Sequence, residues 1–307
     1  MTIFVPNPNQ RNFKKELEDT AMLIIAGGSN NNNNFTGDSA DATAAKFIAQ
    51  SMGTVGVLLN QIPNGRVEFE EDKDENGNQR SRQGDGLIAY GWRRFMEENG
   101  DKHERLVLAP MVKAAVLAMN ATEDILHQEE CGIGLLNEKI QCRSVSLGRW
   151  GLIGASKRGW TAWLAAAVDF HRVKFVAPVV LSFLNMVENF HHYWRAWGGW
   201  SFAMQDYYYE NITATLDDPL NAEAQKTMDP FSYRDRLTMP KMLIQAIGDE
   251  FFNPDDSHYW LKEMKGPMYL RLLPNAEHTT ALSSLSTKHW VWAVRHGFLA
   301  TIKQVRG

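Results

Sequence analysis

The sequence predicts an α/β fold with one mostly parallel sheet, and three observations carry that expectation. Apolar runs of strand length alternate with stretches of helical composition along most of the chain. Several runs, such as AMLIIA at 21–26 and MLIQAI at 242–247, are apolar throughout or nearly so, as strands covered by helices are. No internal repeat, coiled-coil heptad or interdomain linker interrupts the pattern, and 307 residues at 44% hydrophobic and 22% charged suit one large domain over 1–307.

The elements follow in order. Residues 2–5 read as a short strand ended by Pro6, and 21–26 as a buried strand stopping at Gly27-Gly28. Five asparagines, Asn30 to Asn34, have too little apolar content to pack. A helix over 40–51 and a strand over 54–60 come next, then an acidic, glycine-dotted stretch at 68–78 that reads as a solvated loop. Asp85 is expected to cap a helix running through Trp92 and Phe95, and a second helix covers 110–127. Residues 146–168 give a strand, a tight turn at Gly154-Ala155-Ser156 and an Ala- and Trp-rich helix; 173–181 is again a strand. Residues 186–237 break the alternation, which 242–247 resumes. A helix through Tyr259 and Leu261, a strand at 268–273 and a last helix over 286–303 complete the chain.

Composition excludes several classes. With 32 Lys+Arg against 36 Asp+Glu the net charge is −4, without the basic footprint of a nucleic-acid binder. No apolar stretch approaches the ~18 residues of a spanning helix, and the opening MTIFVPNPNQRNFKK lacks a signal-peptide layout. The two cysteines, Cys131 and Cys142, cannot build a disulfide framework or a Cys-rich zinc site; one local bridge and two thiols both remain open. Sequons at Asn34, Asn120 and Asn211 decide nothing in so Asn-rich a chain.

Chemistry concentrates at Ser156. A serine between a buried strand and a helix can stand on a sharp elbow, its hydroxyl raised above the sheet edge and its back to the helix N-terminus. Gly154 sits two residues before it, where the backbone is crowded, although the following glycine of G-x-S-x-G arrives one residue later, at Gly159. A plain helix N-cap is the competing reading of that serine. Chain order favours catalysis. Asp249 follows the strand at 242–247 and His278 follows the one at 268–273, giving the Ser, acid, His order of α/β-hydrolases. Asp255 and Asp256 are alternative acids. The expected oxyanion donors are the backbone N–H of Lys157 and one from Gly27, Gly28 or Ser29. Lys157 and Arg158 add positive charge beside the nucleophile, for an oxyanion or an acidic substrate.

The chain holds 10 Trp, 8 Tyr and 15 Phe, and ten of these rings fall within 183–210. An insertion at 186–237 is expected to cap the nucleophile, with Arg158, Trp194, Trp197 and Tyr207 lining the substrate pocket and most other rings in a core. His191 and His192, with Glu188 nearby, raise the question of a metal, but adjacent histidines point to different faces, so none is expected there. No cofactor is expected either.

The segments GRWGLIGASKRGWTAW, IGDEFFNPDDSHYW and PNAEHT, with GGSNNNN and QIPN earlier, resemble the PhoPQ-activated pathogenicity-related family, which also includes secreted proteins of the autocrine proliferation repressor type. The resemblance covers nearly the whole chain. It implies an α/β-hydrolase fold with Ser156 as nucleophile, Asp249 as acid and His278 as base. Family members are generally larger and exported, so it implies a secreted or cell-envelope location and a chain lacking their amino-terminal portion. A more distant likeness joins it to glucuronoyl and acetyl-xylan esterases, which also use G-x-S-x-x-G with a basic residue after the serine. The expectation is a serine hydrolase acting on an ester or peptide carbonyl of a small molecule or peptide. The alternative is a non-catalytic secreted signalling protein that keeps the scaffold to bind a receptor or envelope partner.

Overall fold

The computed structural model describes residues 1–6, 17–28, 39–127, 130–133, 139–141, 146–279 and the single positions 294, 296 and 297. Ser29, Cys142 and nearly all of the helix expected over 286–303 lie outside the described residues.

Eleven strands and seven α-helices appear among the described residues. The strands are β1 (Thr2–Phe4), β2 (Thr20–Ile25), β3 (Val55–Leu59), β4 (Val67–Lys73), β5 (Gln79–Arg82), β6 (Glu130–Ile133), β7 (Lys139–Gln141), β8 (Arg149–Ala155), β9 (Val173–Val179), β10 (Lys241–Ala246) and β11 (Met268–Leu273). The helices are α1 (Ala40–Met52), α2 (Gly84–Glu97), α3 (Leu108–His127), α4 (Lys157–Val168), α5 (Met186–Trp197), α6 (Gln205–Tyr209) and α7 (Pro219–Met228).

Seven strands form one sheet in the order β1-β3-β2-β8-β9-β10-β11, antiparallel only where β1 meets β3. Both faces are covered. Leu23, Val57 and Leu152 pack with residues of α2, α3 and α4, while Met22, Ile24, Leu58 and Ile153 pack with α1. The period-two alternation of strand side chains therefore serves two cores at once, which is why these strands read as continuous apolar runs.

Three readings of the sequence need correction. The stretch at 68–78 is a hairpin of β4 and β5 rather than a loop. Val67 and Phe69 turn inward between glutamates, but an irregularity between Glu68 and Lys73 hides the alternation. Its ends are held by charge: Asp72 and Glu210 both grip Arg82, and Glu210 also binds Arg93 at 2.6 Å. Asp85 lies in the first turn of α2 and is not its cap; the capping position is Gln83, without a side-chain bond. The helix expected through Tyr259 and Leu261 is two short 3-10 turns, Asp256–Tyr259 and Leu261–Glu263.

Because β8, β10 and β11 are parallel, the residues that follow them emerge at one edge of the sheet. The segment 186–237 leaves that same edge after β9 and returns at β10, carrying α5, α6 and α7.

Candidate active site

Ser156 follows β8 directly and adopts φ 57°, ψ −131°, a conformation costing a non-glycine residue about 1–3 kcal/mol. Its N–H donates to Val179 O at 2.9 Å, and its carbonyl accepts from Trp160 N–H at 3.0 Å, starting α4. The side chain makes no cap bond, so the hydroxyl is free of the helix it precedes. Gly154 permits this turn, since a Cβ there would run into the carbonyl of Arg158.

The hydroxyl meets His278. Ser156 Oγ lies 2.8 Å from His278 Nε2, and His278 Nδ1 lies 2.9 and 3.0 Å from the two carboxylate oxygens of Asp249. A proton on Nδ1, donated to Asp249, leaves Nε2 to accept from the serine. All three side chains are buried. Asp249 Oδ1 accepts further from Phe251 N–H at 2.9 Å and Phe252 N–H at 3.1 Å, and Oδ2 from Gln245 Nε2 at 3.1 Å. Loop is tied to loop as well: Gly248 N–H donates to Ala276 O, and His278 N–H to Glu250 Oε2. The rings of Phe251 and Phe252 lie against the imidazole at 4.5 and 5.5 Å.

Asp255 and Asp256, the alternative acids, stand elsewhere: Asp255 binds His192, and Asp256 accepts from Ser182. Glu188 is exposed, and His191 turns away to Asp217 at 3.0 Å, so the adjacent histidines do part as their spacing requires.

Lys157 is the first residue of α4, so its N–H has no acceptor within the helix. β2 pairs with β8 up to Ile25 opposite Gly154, and continuing that register two residues sets Gly27 level with Ser156. Gly27 O accepts from Gln61 N–H at 2.9 Å, and Gly28 has φ 124°. The Arg158 guanidinium packs against Gly27 so closely that a Cβ would collide with it, and Arg158 Nε donates to Ile62 O at 2.6 Å. Burial lowers the pKa of that guanidinium. Arg158 therefore braces the loops after β2 and β3 and does not line the pocket.

Beside Ser156 lies a narrow cavity of about 20 Å³, room for about one water. Its walls are mostly apolar and include Trp160, Phe183, Met186, Phe190, Met204, Tyr207, Phe251 and Phe252. Tyr207 is among the residues lining this cavity. Trp194 and Trp197 are not: both are about half exposed, Trp194 against Trp200 and Trp197 donating to Asn253.

Asp85 is the wall residue that the sequence concealed. It accepts from Tyr207 OH at 3.1 Å and pairs with Lys157 Nζ at 2.9 Å, so the lysine beside the serine is already neutralised. Burial, then the Asp85 charge, pushes the Tyr207 hydroxyl well above its ordinary pKa. An acid in the first turn of a helix has an ordinary explanation in the helix dipole, and nothing local marks a partner over 100 residues away.

Residues 1–294 match the family described as PhoPQ-activated pathogenicity-related protein. Autocrine proliferation repressor protein A of Dictyostelium discoideum is 39% identical over 238 residues, covering 76% of this chain and 43% of that protein. The chain thus spans less than half the length of that curated relative. Among solved structures, ferulic acid-bound Est1E from Butyrivibrio proteoclasticus aligns with a TM-score of 0.51 at 14% identity, covering 98% of this chain and 94% of that one. Acetyl xylan esterase from Paenibacillus sp. R4 aligns at 0.51 and 13% identity over 93% and 78% of the two chains. The acylaminoacyl peptidase of Pyrococcus horikoshii gives 0.52 and 12% identity over 98% and 39%. At such identities the likeness is one of fold, and the fold is that of the α/β-hydrolases. No helix among the described residues is long and apolar enough to cross a membrane.

Proposed function

Because the chain belongs to the PhoPQ-activated pathogenicity-related family and carries a hydrolase scaffold, we propose that it is a serine hydrolase acting on a small ester or peptide carbonyl. The observation that carries this reading is the hydrogen-bonded line from Ser156 Oγ to His278 Nε2 and from His278 Nδ1 to Asp249, on a serine held at positive φ.

In this reading Ser156 Oγ forms a bond to the carbonyl carbon as its proton passes to His278 Nε2, and the carbonyl π electrons move to oxygen. The N–H of Lys157 and one from Gly27 or Gly28 receive that oxyanion, with Arg158 fixing the glycine loop. Asp249 holds the imidazole tautomer and stabilises the imidazolium. Collapse expels the leaving group, which takes the Nε2 proton. Water then repeats the sequence: it gives a proton to His278, attacks the acyl carbon and releases the acid and Ser156. Nothing in these steps requires a metal or a cofactor.

We read residues 186–237 as the cap of this site, because Met186, Phe190, Met204 and Tyr207 close one side of the cavity. Walls this close favour a short acyl group. The test is labelling by a fluorophosphonate probe. Wild type should react and Ser156→Ala should not; equal labelling of the two overturns the assignment. With p-nitrophenyl esters, kcat/KM should fall at least about tenfold from acetate to octanoate, since a pocket that excludes several methylenes discriminates by 1–3 kcal/mol.

A further inference from the structure

A second cluster lies where α5 meets the turn following the Asp249 loop. One potential ligand atom each from His192, Asp255 and Asp256 lies within 4.8 Å of the other two. His192 Nε2 is 3.1 Å from Asp255 Oδ1. Asp256 is fully buried, and its Oδ2 has a single long hydrogen bond, from Ser182 Oγ at 3.3 Å. Its Oδ1 is buried with no hydrogen-bond partner. A buried carboxylate oxygen without a donor is rare, because desolvation leaves its charge uncompensated; such oxygens are met by water, by a proton or by a cation.

We propose that His192, Asp255 and Asp256 form a binding site for a divalent transition-metal ion of the zinc type. The donor set points to that class. Calcium and magnesium take oxygen ligands in number, whereas one imidazole with two carboxylates suits zinc and its neighbours. Three protein ligands leave a fourth position for water. Ligand distances of about 2.0–2.2 Å set neighbouring donor atoms roughly 3.4 Å apart around a tetrahedral ion. No pair of these atoms need close by more than about 1.4 Å, and His192 Nε2 and Asp255 Oδ1, at 3.1 Å, already lie near that separation.

The site would join two parts of the molecule. His192 belongs to α5, in the segment 186–237, while Asp255 and Asp256 follow Asp249 by six and seven residues. The ion would fasten that segment to the loop holding the buried carboxylate. The proposal stands apart from the hydrolase reading, since it needs no turnover.

The experiment uses the whole chain, stripped with a chelator and titrated with zinc chloride by calorimetry. Metal content after gel filtration and the melting temperature with and without zinc are the accompanying readouts. Wild type should retain about one equivalent and melt higher with zinc, while magnesium and calcium should do neither. Asp255→Asn and His192→Asn change residues reaching the surface and should keep the fold; each should weaken zinc binding about 10- to 100-fold. Asp256→Asn should abolish binding, and the two surface variants carry the test if that buried change impairs folding. His191→Ala, which removes the neighbouring histidine bound to Asp217, should bind zinc as wild type does. Failure of wild type to retain zinc overturns the proposal. So does retention that His191→Ala reduces and His192→Asn does not, which would mark adventitious surface binding.

Discussion

Asp249 and Asp256 lie seven residues apart in neighbouring turns and are equally withdrawn from water, yet their surroundings are opposite. Asp249 receives two backbone N–H groups, the Gln245 amide and the His278 imidazole. Asp256 receives the Ser182 hydroxyl at 3.3 Å and a lesser contribution from the Asn253 backbone, and burial pushes its carboxyl well above the usual range. Burial alone therefore says little about a carboxyl group's role. Donors decide whether it can stay ionised. Asp249 has hydrogen-bond donors on both of its oxygens, while Asp256, with one oxygen bare, needs a proton or a cation.

Substituting each aspartate in turn tests that contrast most severely. Asp249→Asn removes the acceptor that fixes the imidazole tautomer, and ester turnover should fall about 10³- to 10⁴-fold, the scale of such a change in serine proteases. Asp256→Asn, assayed without added metal, should stay within about tenfold of wild type, because the hydrogen bonds of His278 go to Asp249, Glu250 and Ser156 rather than to Asp256. Steady-state kinetics on one short ester measures both. Equal loss in the two variants would break the comparison and place Asp256 in the catalytic machinery.

Asp229 supplies an intermediate case. It is buried and accepts from three backbone N–H groups, those of Asn185, Met186 and Phe231. Burial raises its pKa from 3.8 to about 6, with those donors and the Arg234 charge opposing. The folded state thus binds the proton more tightly than the unfolded chain. Its contribution to stability is complete below about pH 4 and is lost as pH rises through 6. Across that window the stability of wild type relative to Asp229→Asn should fall by about 3 kcal/mol, two pKa units at 1.36 each. Urea unfolding of both proteins at several pH values measures this. Parallel curves would show that three backbone donors already suffice, and would remove the gradation between Asp249 and Asp256.

How far this could be read from sequence follows the same division. Apolar runs located β2, β8, β9, β10 and β11, because strands covered on both faces are mostly apolar and even the edge strand β11 has only Arg271 as a charged interruption. Ser156, Asp249 and His278 could be singled out because each follows such a run, and the parallel sheet delivers them to one edge. What stayed hidden depends on side chains meeting across long stretches of chain. Asp85 reaches Lys157 and Tyr207, Arg158 reaches the carbonyl of Ile62, and His192 reaches Asp255. Each has an ordinary local explanation: an acid in a first helical turn, a cation on a helix, a histidine beside another. The ring-rich stretch was misread in part for a related reason. Composition gives the number of aromatics, but Phe190, Trp194 and Trp197 share one face of α5 at i, i+4 and i+7, and it is position along the helix that lets Phe190 line the cavity while the two tryptophans in the last turns lie half exposed.

The smallest expected effect tests the Asp256 side alone. The Ser182 hydroxyl carries one proton, and it has two acceptors at long range, Asp256 Oδ2 at 3.3 Å and Asn253 O at 3.5 Å. Neither bond can be strong while the proton is shared. Ser182→Ala should therefore cost the metal-free protein about 1 kcal/mol or less in urea unfolding, near the usual worth of one neutral hydrogen bond. A loss of about 3 kcal/mol would mean that the hydroxyl supports an ionised carboxylate, as donors to charged groups do. Asp256 would then resemble Asp249, and its bare oxygen would no longer call for a cation. A small loss, together with zinc uptake undiminished by Ser182→Ala, would place the compensation for Asp256 on the side facing His192 and Asp255.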